Sequence, residues 1–333
     1  MKKSYIIILF GLLSCVSNDN KILVSNSGEA QGTYYHIKYL SKDAEDFYLK
    51  IDSLFAEVDS AVSIYMPNSI ISRLNKGEHV RTDTIFNKVY DDAMHVYQLT
   101  EGYFDCTVFP LVNYWGFYQN NQLNTSAIDT VSVLRIMEKV GMHNIKKTDS
   151  SIVLRNGVQL DFNAIAQGYT VDLIAHLLEE NGIVNYLIEV GGEIKAKGVN
   201  ADGVLWRVGV DKPSEEIDLE ERFQFVLDLK DKALASSGNY RKFYIKDNIK
   251  YSHTINPKSG FPSKNRLLSA TVIANRCSLA DAYATAFMAM GVKRTKQLYN
   301  KLSEELDIYL VYTDKNGEWK TFISPGMQTR IVN

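Results

Sequence analysis

The period of the apolar positions changes several times along the chain, and each change marks an element. Residues 31–40 (QGTYYHIKYL) are β-branched and aromatic and predict a strand. Over residues 43–62, Phe47, Ile51, Leu54, Phe55 and Val58 fall on one helical stripe. A second helix is predicted over 84–100. Residues 152–162 read as a hairpin turning at Asn156-Gly157, a pair suited to a two-residue turn. A helix is then expected over about 164–180, stopped by Asn181-Gly182. Short strands dominate 185–245, and beyond Leu268 the order is strand, helix (279–291), helix and two closing strands. Strands arriving in runs as well as in alternation with helices predict an α+β fold, a mixed β-sheet with packed helices. No Pro- or Ser-rich linker and no internal repeat divides it.

Composition removes several classes. With 45% hydrophobic and 11% aromatic residues in 333, the chain can offset the entropy of ordering, which excludes disorder. Thirty-seven basic against 39 acidic residues leave a formal charge of −2, with no net positive field to attract nucleic acid. Three cysteines are too few for a disulfide-built scaffold.

The amino terminus reads as an address. Lys2 and Lys3 precede an unbroken apolar stretch over residues 5–13, too short for a spanning helix, which needs roughly 20 residues, but suited to a signal peptide. It closes on Leu12-Leu13-Ser14-Cys15, which resembles a bacterial lipobox, with Cys15 as the lipidated residue. The expected organisation is a leader over 1–14, a lipidated tether over 15–27 and a catalytic domain over 28–333. Loss of Lys2 and Lys3 leaves 35 basic against 39 acidic residues, or −4. The expected location is extracytoplasmic, on the periplasmic side of a bacterial membrane, held by the lipid.

Familiar chemistries are missing. No glycines are spaced G-x-G, and there is no P-loop, H-E-x-x-H or G-x-S-x-G. The most informative segment is 278–291 (SLADAYATAFMAMG). Leu279, Ala282, Tyr283, Ala286, Phe287 and Met290 form an apolar face, and the opposite face carries only Asp281, Ala284, Thr285 and Met288. A helix apolar nearly all round is buried, and a buried carboxylate needs a cation or several hydrogen bonds. Asp281 and Thr285 are one turn apart, so one hard cation such as Mg²⁺ could bind both. Ser278-x-x-Asp281 also fits a capping box, which accounts for Asp281 without a metal but leaves Thr285 unexplained.

Other segments are suggestive. In LDFNAIAQGYTVD (160–172), a strand ends near Asp161, and Ala164, Ala166 and Gly168 line the start of a helix. This suits either an approaching phosphate or close packing on the sheet. Gly191-Gly192 suggests a bulge or a close backbone approach. His253 stands at a strand end before the Asn256-Pro257 turn. The aromatic run 114–118 suits either core or ring stacking.

Taken in order, these segments resemble the FAD:protein FMN transferase (ApbE) family over nearly the whole mature chain. The matching stretches are QGTYYHIKY, SIYMPNSIISRLN, GYFDCTVFPLVNYWGF, LDFNAIAQGYTVD, VGGEIKAKG, SSGNYRKFY, HTINPKSGFP and SLADAYATAFMAMG. The resemblance implies a Mg²⁺-dependent enzyme that cleaves FAD and transfers FMN to a Ser or Thr of an acceptor protein, releasing AMP. Its acceptors would be subunits of extracytoplasmic or membrane redox complexes. It assigns Mg²⁺ to Asp281, Thr285 and the Ala164 carbonyl, with His253 near the reacting phosphate as base. FAD would meet Gln31, Tyr65, Tyr103, Phe104, Asp105, Asp161, Gln167, Gly191 and Gly192, and the chain near Ile255. Three positions depart from the family pattern: Gln31 stands where Met is usual, Cys106 where Pro is common, and Gln167 where Lys is usual. The chain contains no Ser/Thr-Gly-Ala-Thr acceptor motif, which fits the donor enzyme. An FAD pyrophosphatase and a non-enzymatic flavin-binding lipoprotein are the alternative readings. Export permits a disulfide between Cys106 and Cys277, although two free buried thiols are the stronger expectation.

Overall fold

A computed structural model describes residues 21–118, 129–148, 151–213, 222–239, 243–246 and 249–332. The leader and Cys15 lie outside the described residues. Strand β1 (Ile22–Ala30) pairs along its whole length with β2 (Thr33–Ser41). Residues 22–27 were expected in the tether and are instead strand. Their polar composition hides an alternation in which Val24 and Asn26 turn inward, and Asn26 Nδ2 donates to Asp46 Oδ1 at 2.8 Å.

Helix α1 (Tyr48–Val62) buries the predicted stripe of Ile51, Phe55 and Val58. Then come α2 (Ile70–Asn75), α3 (Thr84–Leu99), α4 (Phe109–Tyr114) and α5 (Thr130–Met137). Asp83 caps α3 by accepting the Phe86 amide at 2.7 Å, which fixes its start where the sequence predicts it.

Strands β3 (Ile145–Lys147) and β4 (Ile152–Leu154) form a small antiparallel ribbon. This corrects the hairpin expected over 152–162. Asn156 and Gly157 do turn, with φ of 56° and 72°, but β4 already pairs backwards with β3. The chain beyond is held by a side chain rather than a strand. Asn75 accepts from the Leu160 amide at 2.7 Å and donates to the Leu160 carbonyl at 2.8 Å.

Helix α6 (Ala166–Glu180) ends at Gly182, whose φ is 77°. The Gly182 amide donates to the Glu179 carbonyl and the Ile183 amide to that of Leu178, a Schellman closure. Strands β5 (Tyr186–Val190), β6 (Glu193–Lys197), β7 (Trp206–Asp211), β8 (Phe223–Leu229), β9 (Lys232–Gly238), β10 (Phe243–Lys246), β11 (Ile249–Ser252) and β12 (Leu267–Ala274) follow. Helix α7 (Cys277–Leu302) bends at Gly291 (φ 73°, ψ 170°), which divides it into the two helices expected there. Strands β13 (Asp307–Thr313) and β14 (Trp319–Ile323), the short α8 (Pro325–Gln328) and β15 (Ile331–Val332) complete the chain.

The main sheet runs β1-β2-β5-β6-β9-β12-β13-β14. The α+β class stands, and every strand pairing among the described residues is antiparallel rather than mixed. Alternation along its strands divides two cores. Val272 and Ala274 of β12 and Ile308 and Leu310 of β13 face α3, α6 and α7. Ile273, Tyr309 and Val311 face the other way, onto a second sheet of β15, β8 and β7. Burial on both faces explains why β12 reads as an almost continuous apolar run. No described helix is long and apolar enough to cross a membrane.

Candidate active site

The site begins where α6 and α7 cross at their amino-terminal ends. A Cβ on Gly168 would lie 2.5 Å from the Cys277 carbonyl oxygen and 2.9 Å from Asp281 Cβ, so only glycine allows this approach. The contact lets the Gly168 amide donate to Asp281 Oδ2 at 3.3 Å. Among the described residues Asp281 has no cationic partner. Burial pushes its carboxyl up to about 7, with the Gly168 amide pulling the other way.

The capping-box alternative does not hold. Helix α7 begins at Cys277, and its N-cap, Arg276, makes no side-chain cap. Ser278 is therefore inside the helix, where its hydroxyl donates to Asp172 and Asp92. The amides of Cys277 and Ser278 donate to Asp172 of α6, at 3.0 Å each. Asp281 caps no amide of α7; the one amide it accepts is that of Gly168 at the start of α6.

Thr285 stands one turn beyond Asp281, its hydroxyl 3.2 Å from that of Ser237 on β9. On the α6 side, the Gly168 amide is turned to Asp281, and the Ala164 carbonyl accepts no backbone hydrogen bond among the described residues. No three His, Cys, Asp or Glu side chains among the described residues form a metal cluster. One carboxylate with hydroxyl and carbonyl oxygens remains, an all-oxygen set that suits a hard cation keeping several waters. A buried carboxylate lacking a cation fits such an ion.

A second group lies beside the start of α6. Gln31, with φ of 53° in the β1–β2 turn, donates through Nε2 to Thr170 Oγ1 at 2.9 Å. Gln167 Nε2 reaches the Gln31 carbonyl at 3.4 Å. Gly191 and Gly192, with φ of 66° and 107°, are the two-residue turn joining β5 to β6, not a bulge. The close approach expected there is real, since a Cβ on Gly191 would lie 2.9 Å from Thr33 and 3.2 Å from the Gln167 amide.

The third group is aromatic. Tyr65, 55% exposed, stacks on Tyr118 at 5.5 Å and 27°, and Asn163 Nδ2 lies 3.4 Å from its hydroxyl. Asp161 joins this group to the preceding segment, its amide donating to the Cys106 carbonyl at 2.7 Å. Burial pushes the Asp161 carboxyl up to about 6, against the pull of the Asn163 amide. Asp105 is buried and accepts from the Thr107 amide and hydroxyl, at 2.8 and 2.6 Å. Burial raises its carboxyl as well, opposed by Thr107 and by the charges of Lys258 and His143. Tyr103 has Lys258 and Arg294 near its ring, at 5.8 and 5.3 Å from the centroid.

Two expected contacts are buried in core. The Phe104 side chain belongs to the main core and that of Ile255 to a smaller one around Trp115, so both can meet a ligand only through backbone. Trp115 of the aromatic run is core and ties down the following turn, donating to the Gly260 carbonyl at 2.7 Å. His253 follows β11, and its neighbour Thr254 donates to Asn239, just beyond β9 and two residues from Ser237. That bond brings the residue after His253 to the end of β9 near Ser237, the partner of Thr285. Cys106 and Cys277 are buried and not joined in a disulfide, and burial pushes both thiols up.

Asp172 and Lys258 escaped the reading from sequence. No local pattern around Asp172 or Lys258 marks either of them. Only the crossing of α6 with α7, and the fold of the turn after His253, give them partners.

Fold and site together define an α+β protein with an oxygen-donor cluster at a helix crossing, flanked by a stacked aromatic pair. The family model described as the ApbE family matches residues 31–310. The FAD:protein FMN transferase of Vibrio cholerae is 36% identical over 277 residues, 80% of this chain and 81% of the relative. That of Haemophilus influenzae is 30% identical over 318 residues, 92% and 90%. The solved flavin transferase ApbE from Vibrio cholerae superposes with a TM-score of 0.83 at 32% identity, over 93% of this chain and 99% of that one. The apo flavinyl transferase ApbE from Pseudomonas stutzeri gives 0.83 at 26% identity, over 93% and 97%. The chain belongs to the ApbE family.

Proposed function

We propose that this protein transfers FMN from FAD to a Ser or Thr hydroxyl of an acceptor protein and releases AMP. The observation that carries the reading is Asp281, a buried acid with no cationic partner among the described residues, placed against the start of α6 with Thr285 one turn away. Asp281, Thr285 and the Ala164 carbonyl would hold magnesium. Bound there, it would supply positive charge to the FAD diphosphate and to the departing AMP phosphate.

The chain's own residues do the rest. Tyr65, stacked on Tyr118, offers an exposed ring to a flat heterocycle. Gln31, Gln167 and the Gly191-Gly192 turn line the side of the site where the backbone approaches closely. His253 takes the proton from the acceptor hydroxyl, whose oxygen forms the new bond to the FMN phosphorus as the anhydride bond to AMP breaks. General-base help of this kind is worth about 10²–10⁴-fold. AMP leaves as a stabilised phosphate, so a strong general acid is not needed.

The partners are acceptor subunits of extracytoplasmic or membrane redox complexes, and Cys15 carries the lipid that holds the protein to the bacterial membrane, on the periplasmic side. The lipobox-like sequence at Leu12-Leu13-Ser14-Cys15 supports the anchor. Incubation with FAD, Mg²⁺ and candidate extracytoplasmic redox proteins tests the reading. Covalent flavin fluorescence on a denaturing gel is expected. Free FMN and AMP without labelled protein would replace transfer by hydrolysis, and intact FAD would leave only binding.

A further inference from the structure

Helices α6 and α7 exchange hydrogen bonds at their crossing, and Asp172 is the far half of the exchange. Gly168 of α6 donates to Asp281 of α7 at 3.3 Å. One turn further along α6, Asp172 accepts from the first two amides of α7: Cys277 on Oδ1 and Ser278 on Oδ2, each at 3.0 Å. The Ser278 hydroxyl adds a third bond, also at 3.0 Å. Lys195 of β6 lies 2.9 Å from Oδ1, and Arg276, itself held by Asp92 of α3, lies 3.9 Å from Oδ2.

These contacts make the two acids opposites. Asp172 accepts four hydrogen bonds, one of them from Lys195, and has Arg276 as a second cation nearby, so its charge is fully used. Asp281 has one long hydrogen bond and no cationic partner among the described residues, so its charge is left for a ligand. An ordinary N-cap residue would satisfy the same amides but would tie α7 only to itself. A cap supplied by the neighbouring helix fixes the start of α7 against the start of α6. With no Cβ at Gly168 and no slack in the contact, that register sets where Asp281 falls relative to the Ala164 carbonyl.

We propose that Asp172 is a positioning residue for the cation site: capping α7 from α6, it holds Asp281 where magnesium binds. The inference rests on the reading of Asp281 and Thr285 as magnesium ligands. Residues that orient metal ligands typically change metal affinity by about 10–100-fold when removed.

Magnesium binding to the whole protein, measured by calorimetry and by Mn²⁺ competition, tests this separately from activity. Asp172→Asn keeps the size of the side chain but gives up one acceptor and the charge. Its magnesium dissociation constant is expected to rise by about tenfold or more. The transfer rate is expected to recover to within about threefold at saturating Mg²⁺, as removal of a positioning group behind a metal ligand requires. Asp92→Asn breaks the Arg276 pair while leaving the Cys277 and Ser278 amides on Asp172, and is expected to lower the thermal midpoint at near wild-type magnesium affinity. If Asp172→Asn lowers the midpoint and still binds Mg²⁺ like the wild type, Asp172 is a structural cap and the proposal is overturned. If the wild type binds no Mg²⁺, the metal reading falls and takes the proposal with it. Should Asp172→Asn not fold, Ser278→Ala removes one of the same contacts. A weakening of at least about twofold then supports the proposal, and none overturns it.

Discussion

The amide of Gly168 points at the carboxylate of Asp281 across 3.3 Å, and no side chain larger than hydrogen fits between their helices. This one relationship joins the two most telling motifs of the sequence, the small-residue start of α6 and the apolar α7. In the linear chain they are 113 residues apart.

Gly168→Ala tests that closeness. Its Cβ would meet backbone at the Cys277 carbonyl, which cannot swing aside, so the helices must part. Overpacking of this kind costs about 1–3 kcal/mol. Chemical denaturation should show that loss, and magnesium affinity should fall with it. A variant of full stability and full affinity would mean that the crossing tolerates a methyl group.

Burial of Asp281 makes stability depend on pH in a defined direction. Unfolded, the carboxyl titrates near 4; folded without metal, it is pushed up to about 7. Between those values the folded chain holds a proton that the unfolded chain has released. Stability is therefore full below about 4 and is lost as pH rises through about 7. Asp161, pushed up to about 6, adds in the same sense over the lower part of that window. The metal-free protein should melt at least about 2 °C higher at pH 5.5 than at pH 8, a difference that Asp281→Asn reduces. Magnesium should reverse the trend, raising the midpoint more at pH 8, because proton and cation compete for one carboxylate. A metal-free midpoint that does not move with pH would exclude a desolvated Asp281.

Much of this was legible in the chain because local rules governed it. The stripe of α1, the Gly182 stop and the buried α7 follow from periodicity and turn chemistry. What was hidden depends on partners distant in sequence. Strand β1 looks like tether until β2 lies beside it, and residues 158–162 look like strand until Asn75 takes both main-chain bonds of Leu160. Asp281 showed the same limit. Ser278-x-x-Asp281 satisfied a local capping rule, and only Asp172, arriving from another helix, showed that the rule was not in use.

Tyr65 should affect binding far more than folding. Its ring is 55% exposed and stacked on Tyr118, so Tyr65→Ala removes little core. Stacking of a base on an aromatic ring is worth about 1–3 kcal/mol. Tyr65→Ala should therefore raise the KM for FAD by about tenfold with less than about 1 kcal/mol lost in stability. An unchanged KM would remove Tyr65 from the flavin site.

Gln167 stands where the family pattern has lysine, and its amide lies beside the Gln31 carbonyl and the Gly191 turn. Gln167→Lys places a cation near the proposed diphosphate, where attraction acts on bound FAD and on the transition state alike. The expected result is a lower KM for FAD, by about threefold to tenfold, with kcat little changed and the effect shrinking as salt rises. If kcat rises and KM stays constant, the new charge acts only on the transition state, and Gln167 lies nearer the reacting phosphate than the flavin-binding side.

His253 follows β11, and its neighbour Thr254 is bonded to Asn239, just beyond the end of β9 that carries Ser237, the partner of Thr285. As general base it must be neutral, so the transfer rate should rise with pH and then level off. His253→Ala should lose about 10²–10⁴-fold in kcat and lose that limb of the profile. Because the acceptor hydroxyl, not FAD, loses the proton, FAD binding followed by flavin fluorescence should stay close to wild type. Small primary amines or imidazole, added to the variant, should restore part of the rate by acting as the missing base. A His253→Ala enzyme that transfers FMN at the wild-type rate from pH 6 to 9 would remove the histidine from the chemistry. Proton removal would then fall to solvent or to the acceptor itself.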